Sequence, residues 1–202
     1  MTDSAGKLLI ATRNVGKFEE LEALLSSCPF DLVSLLDTGI DTEVAETGST
    51  YEENAAVKAT AYARESGMLT LADDSGLEVD ALGGEPGVLS SRYAGEGASD
   101  AQRIALLLRN LENVPERDRG ARFACVIALA RPGRPVELYS GECRGRIVAV
   151  SRGRDGFGYD PVFMLPETGK TMAELSPEEK NLISHRSDAA RKALAALKGM
   201  AP

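Results

Sequence analysis

Met68-Leu69-Thr70-Leu71-Ala72-Asp73-Asp74-Ser75-Gly76-Leu77 sets two adjacent carboxylates directly after an apolar run. The run reads as a buried strand and Gly76 as a turn, which places the pair at a strand's end. Adjacent carboxylates repel one another and lose hydration when partly buried, so a fold keeps them only with compensation. The compensation is a divalent cation, a basic partner or a proton-transfer task. An isolated Asp-Asp-Ser-Gly is more often a solvated turn, and the rest of the chain decides between the two readings.

Strands and helices alternate around this stretch. Lys7–Ala11 is an apolar strand, followed by a polar turn and a helix with Phe18, Leu21, Leu24 and Leu25 at helical spacing. Phe30–Leu36 reads as a second strand and Asp37–Gly48 as an acidic loop. A capped alanine-rich helix then runs to about Ser66. Ser99-Asp100-Ala101-Gln102 opens another helix. Arg122–Ala130 and Val136–Val150 read as strands joined at Arg131-Pro132-Gly133-Arg134-Pro135. Ser176-Pro177-Glu178-Glu179 starts a final helix that continues to Lys198 and is expected to break near Ser184. The class is α/β with a mixed sheet flanked by helices, and residues 1–202 read as a single domain.

Composition narrows the function. A formal net charge of −8 argues against a nucleic-acid polymer as partner, because polymer binding needs a basic face. It leaves room for a small phosphorylated ligand held by a few local cations and a metal. No apolar stretch approaches the roughly 20 residues that span a bilayer, so no membrane partner is expected. Met1-Thr2-Asp3-Ser4-Ala5-Gly6-Lys7 lacks the pattern of a signal peptide. Cys28, Cys125 and Cys143 are odd in number and unpaired in spacing, which suggests reduced thiols and a cytoplasmic protein.

Thr12-Arg13-Asn14-Val15-Gly16-Lys17 leaves a strand and enters a helix, whose free N–H groups attract anions. Thr12 and Asn14 offer side-chain donors, Gly16 lets backbone approach and Lys17 adds charge, although the segment is not a Walker P-loop. An Asn N-cap beside a surface Lys is the plainer reading. Glu46, on the acidic loop, and an aspartate of the pair form a natural set of oxygen ligands for Mg2+. Asn54 and Lys58, at i and i+4, share a helix face that is either solvated or, at Lys58, turned to phosphate. Phe157-Gly158-Tyr159-Asp160 sets an aromatic between glycines, suited to stacking on a purine or simply to a tight turn. Lys180, His185 and Arg186 supply donors, and a cluster of donors alone favours a 6-oxo purine over adenine.

These blocks occur together and in order, and in that arrangement the chain resembles the inosine triphosphate pyrophosphatase family, hydrolases of non-canonical purine nucleoside triphosphates such as dITP, ITP and XTP. The resemblance runs from Leu9 to about Leu197. It rests on the Thr12–Lys17 turn, Glu46-Thr47-Gly48 with Glu53-Asn54-Ala55, Ala72–Leu77, the Phe157–Pro161 loop, and Glu179-Lys180-Asn181 with Ser184-His185-Arg186. It implies an elongated α/β fold of two lobes around a central cleft, usually a homodimer, and Mg2+-dependent release of pyrophosphate and a nucleoside monophosphate. Thr12, Arg13, Asn14, Val15, Gly16 and Lys17 would then hold phosphates, and Glu46 and Asp74 the metal. Asp74 would also accept the proton and Ser75 would touch substrate. Phe157, Gly158, Tyr159, Asp160, Lys180, His185 and Arg186 would form the base pocket. Position 13 is a small residue in many relatives. The residues themselves do not separate Asp73 from Asp74.

Two other readings compete. One is a Maf-type nucleotide pyrophosphatase; the other is a non-catalytic nucleotide-binding protein, which would gain little from carboxylates beside a triphosphate. The lack of a Gly-x₅-Glu-x₇-Arg-Glu run argues against a Nudix hydrolase.

Overall fold

A computed structural model describes residues 6–200, so most of the Met1–Lys7 segment lies outside the described residues. Strand β1 (Lys7–Ile10) has Leu8, Leu9 and Ile10 fully buried, the pattern of a strand covered on both faces. It pairs in parallel with β2 (Asp31–Ser34) on one side and β3 (Leu69–Val79) on the other. Helix α1 (Val15–Leu24) connects β1 to β2; α2 (Leu35–Thr38) and α3 (Tyr51–Ser66) lead on to β3. After α4 (Asp100–Asn110) come β4 (Gly120–Ala130), β5 (Glu137–Ile147) and the short β6 (Phe163–Met164), antiparallel to β5. Helices α5 (Pro177–Ile183) and α6 (His185–Gly199) close the chain, with Ser184 extended between them as expected. The sheet order is β2-β1-β3-β4-β5-β6, a mixed α/β arrangement flanked by helices. Six residues cannot cross the length of an 11-residue strand, so β4 and β5 form a hairpin.

Two departures from the expected strands bear on the site. β2 stops at Ser34, whose hydroxyl accepts from the Asp37 N–H while Asp37 accepts from the Ser34 N–H. That capping box turns the chain into α2 instead of a longer strand. The larger correction concerns Asp73 and Asp74, which lie inside an 11-residue strand and not at its end. Gly76 is buried, lacks a positive φ and is no turn. The strand continues because Leu77 and Val79 are also fully buried, and because other residues compensate the two carboxylates as described below.

The chain divides into two compact units. The first comprises Met1–Asp74, Cys125–Gly141 and Arg186–Pro202, and the second Ser75–Ala124 and Glu142–His185. The first packs Leu8, Leu69 and Leu71 with Leu21 of α1 and Ala189, Ala193 and Leu197 of α6. Alanines at i and i+4 let that helix approach the strands closely. The second is centred on Leu77, Leu107, Phe123 and Phe163, with the two phenyl centroids 4.4 Å apart. Among the described residues no helix is long and apolar enough to cross a membrane.

Candidate active site

Successive side chains on a strand point to opposite faces. In β3, Leu69 and Leu71 therefore share a face with Asp73, and they pack in the cluster that includes α1 and α6. Asp73 meets cations from those two helices: Lys17 Nζ lies 3.0 Å from its Oδ2 and Arg186 Nη2 3.5 Å. Burial alone would push the Asp73 carboxyl upward. The charges of Lys17, Arg186 and Lys58 reverse that and hold it well below the usual aspartate range. Asp73 is thus a fixed anion.

Asp74 points the other way, to α3. Its Oδ2 accepts from Asn54 Nδ2 at 2.9 Å. Here burial dominates and raises the carboxyl above its ordinary value; Lys58 and Lys17 oppose the rise, the Glu46 charge adds to it, and the Asn54 hydrogen bond opposes it. Two neighbours of one residue type are thereby driven apart, one locked as a counter-ion and one made more basic. A separation of this kind assigns acid–base roles.

Lys58, one turn beyond Asn54, lies 2.6 Å from Glu46 Oε1 and also donates to the Asp73 carbonyl. The chemistry of Glu46 and Asp74 suits a hard divalent ion: both are oxygen donors, the Glu46 charge is felt at Asp74, and magnesium takes one or two carboxylates with water and phosphate completing its shell. Among the described residues no group of three or more His, Cys, Asp or Glu is placed to hold a metal, so the pair would share the ion with such outside ligands.

The Thr12–Lys17 turn is built partly as its plainer reading has it. Asn14 is the N-cap of α1, its Oδ1 accepting from Lys17 N at 2.9 Å, and Thr12 Oγ1 accepts from Asn14 N at 3.2 Å. Val15 and Gly16 form the first turn of that helix. Arg13 is placed differently from the phosphate-holding expectation. Its Nη2 donates to the carbonyls of Ile40 and Thr42, at 3.2 and 3.1 Å, bracing the loop that leads to Glu46.

In the second unit the loop carrying Phe157, Gly158, Tyr159 and Asp160 is pinned at four points. Gly158 N donates to Asp100 Oδ2 at 2.7 Å and the Tyr159 hydroxyl to the Ser90 carbonyl at 3.0 Å. Asp160 Oδ2 accepts from Phe157 N at 3.0 Å and from Lys180 Nζ at 2.5 Å. Lys180 also sits over the Phe157 ring, 4.8 Å from its centroid. Gly156, with φ at +75°, has no room for a side chain, because a Cβ would strike the Asp160 carboxylate. His185 stacks on Phe123 at 4.8 Å. Ser75 is half-buried on β3.

Of the three expected donors, Lys180 pairs with Asp160, His185 stacks on Phe123, and Arg186 is enclosed between Asp73 and Glu20, with Nη1 2.5 Å from Glu20 Oε2.

A profile of the Ham1 family matches residues 8–196. The chain belongs to the Ham1 family. Among similar relatives of this Ham1-family chain, the dITP/XTP pyrophosphatase of Geobacillus kaustophilus is 55% identical over 186 residues, covering 92% of this chain and 91% of that protein. The dITP/XTP pyrophosphatase of Geobacter sulfurreducens is 52% identical over 192 residues, covering 95% and 94%. The solved Ham1 protein of Staphylococcus aureus superimposes with a TM-score of 0.86 at 42% identity, over 96% of this chain and 99% of that one. The resemblance read from the motif blocks is borne out, and the family is not the Maf-type alternative.

Sequence reasoning passed over Glu20 and understated Asn54 in this Ham1-family chain. Glu20 reads as one more surface charge on α1, and only the fold brings Arg186, 166 positions away, against it. Asn54 was legible as a helix-face neighbour of Lys58. Its burial, at 1% exposure, was not.

Proposed function

We propose that the protein hydrolyses non-canonical purine nucleoside triphosphates of the dITP/ITP and XTP class to the nucleoside monophosphate and pyrophosphate, with Mg2+ as cofactor. The observation that carries the proposal is the split between Asp73 and Asp74 beside Lys17 and Glu46. Relatives at about half identity over nearly the full chain, bearing the name dITP/XTP pyrophosphatase, support the substrate class.

Each residue has a task. Lys17 and the capped N-terminus of α1 bind phosphate oxygens, where N–H groups and the helix dipole favour negative charge. Asp73 keeps Lys17 and Arg186 in place. Asp74, its basicity raised by burial, orients a water toward the α-phosphorus and takes its proton. Glu46 and Asp74 would hold the magnesium, which when bound supplies charge neutralisation along the phosphates. Lys58, which pairs with Glu46 here, would neutralise phosphate oxygens. In the second unit Phe157 stacks on the base, while Lys180, fixed by Asp160, donates to a 6-keto oxygen. A cytoplasmic, homodimeric protein goes with this reading.

A panel of nucleoside triphosphates, assayed with and without Mg2+ and with the products identified, tests the proposal. ITP and XTP should be cleaved far faster than ATP, releasing pyrophosphate. Equal rates for ITP and ATP, or release of orthophosphate, would overturn it.

A further inference from the structure

Helix α3 ties together the two segments that carry the proposed cation ligands, at Lys58, which reaches Glu46 and the Asp73 carbonyl, and at one buried amide. Asn54 Nδ2 donates to Asp74 Oδ2 at 2.9 Å, and Asn54 Oδ1 accepts from Gly48 N at 2.8 Å. The orientation is forced. A backbone N–H only donates and an ionised carboxylate only accepts, so one end of the amide can serve each. Gly48 follows Glu46 by two residues, and its turn is pressed against the helix. A Cβ at Gly48 would lie 2.7 Å from Asn54 Oδ1 and 2.7 Å from Glu53 Cβ. Ser49 N, donating to Glu53 Oε2 at 2.7 Å, pins the same turn once more.

We infer that Asn54 is a positioning residue that sets the separation of Glu46 from Asp74 and thereby the affinity of the divalent-cation site. The inference rests on the assignment of those two carboxylates to the cation. Two ligands on separate segments bind one ion well only if their spacing is fixed before the ion arrives. Asn54 fixes it with one side chain that contacts both segments and is itself buried in helix α3. Removing a hydrogen-bonded partner of a metal ligand typically weakens metal affinity about 10–100-fold.

Mn2+ is the probe, titrated into the full chain without nucleotide and followed by the electron paramagnetic resonance of the free ion. Asn54→Ala should bind Mn2+ at least about tenfold more weakly than the unmodified protein. Leu197→Ala, a destabilising change in the core beside α6, should keep the original affinity. Gly48→Ala keeps the Asn54 side chain but drives a Cβ against its Oδ1 and against Glu53 Cβ, forcing turn and amide apart; it should reproduce the loss, and it carries the test if Asn54→Ala does not fold. In hydrolysis of ITP the half-saturating metal concentration should rise by the same factor, with kcat largely recovered at excess metal. A purely structural role would lower the active fraction without moving half-saturation. Original Mn2+ affinity in folded Asn54→Ala or Gly48→Ala overturns the inference. If Glu46→Gln also binds Mn2+ at full strength, the cation assignment itself falls, a result distinct from failure of Asn54 alone.

Discussion

Replacing each member of the aspartate pair by asparagine should separate stability from turnover. Asp73→Asn removes the charge that faces Lys17 at 3.0 Å and Arg186 at 3.5 Å. At an effective dielectric of about 20, each of those contacts carries roughly 5 kcal/mol of gross attraction. The cost of burying the ions offsets most of it, and removing one partner of such a set loses about 3–5 kcal/mol net. In a chain of this size 1 kcal/mol moves Tm by about 2–4 °C, so Asp73→Asn should melt roughly 6–20 °C lower. Asp74→Asn instead removes a carboxylate that burial already disfavours, and the new amide oxygen still accepts from Asn54. Its Tm should hold or rise, while turnover falls by about two orders of magnitude or more, the usual span for a general base.

Acidification supplies a second axis with opposite signs. The folded pKa of Asp73 lies below its unfolded value. Its contribution is therefore complete above the ordinary aspartate range and is lost as pH falls toward the depressed folded value. The stability gap between the unmodified protein and Asp73→Asn should close on that descent. Asp74 has its folded value raised, so its charge costs stability near neutral pH and the cost disappears as pH falls through that raised value. Calorimetry across pH, paired with pyrophosphate release, reads both axes. If the two variants melt alike, or if Asp74→Asn is the less stable and remains active, the division of labour within the pair is refuted.

Arg186→Met should behave as a stability variant before it behaves as a specificity variant. It removes the cation that Asp73 and Glu20 share, although Lys17 still faces Asp73, and denaturant unfolding should show a loss of about 3–5 kcal/mol. Gly156→Ala forces a left-handed backbone position on a side chain and drives its Cβ into Asp160, so it should raise KM for ITP about tenfold or more at little cost to kcat. Burial pushes the Cys125 thiol up to about 12. In the native protein it should resist a disulfide reagent that still reaches half-buried Cys28, and its labelling should track global unfolding.

Much of the fold was legible because its signals are local. The Asn14 and Thr50 caps, the Ser176-Pro177 start and the apolar runs of β1 and β4 each depend on neighbours within a few positions. The Asp73-Asp74 stretch was misread at its end because Asp, Ser and Gly are turn formers, and local preference cannot register cations arriving from residues 17 and 186. The same limit explains Arg186. Its ion-pair partners Glu20 and Asp73 lie 166 and 113 positions away in sequence. Asn54 lay within view as a helix-face residue. The sequence contains the i, i+4 relation to Lys58 but not the turn at Gly48 that folds over it.

A chain with a net charge of −8 that binds a polyanion must solve a local problem, and the named charges of the first unit show how. Lys17, Lys58 and Arg186 stand among Glu20, Glu46, Asp73 and Asp74, three cations against four carboxylates. With all four ionised that set is negative by one charge, so a bare triphosphate would gain little by entering it. Asp73 and Glu20 spend their charge on Arg186 and Lys17, which leaves Lys58 divided between Glu46 and the Asp73 carbonyl. On the proposed reading, a divalent cation held by Glu46 and Asp74 would reverse the sign of the set, and Lys58 would then be available to phosphate. The raised pKa of Asp74 fits that reading: burial disfavours its anion, which an adjacent cation would stabilise. On the proposed reading, metal dependence would follow from the charge balance of the site, and adjacency on a strand would let one dipeptide serve both as the scaffold of the cations and as the base.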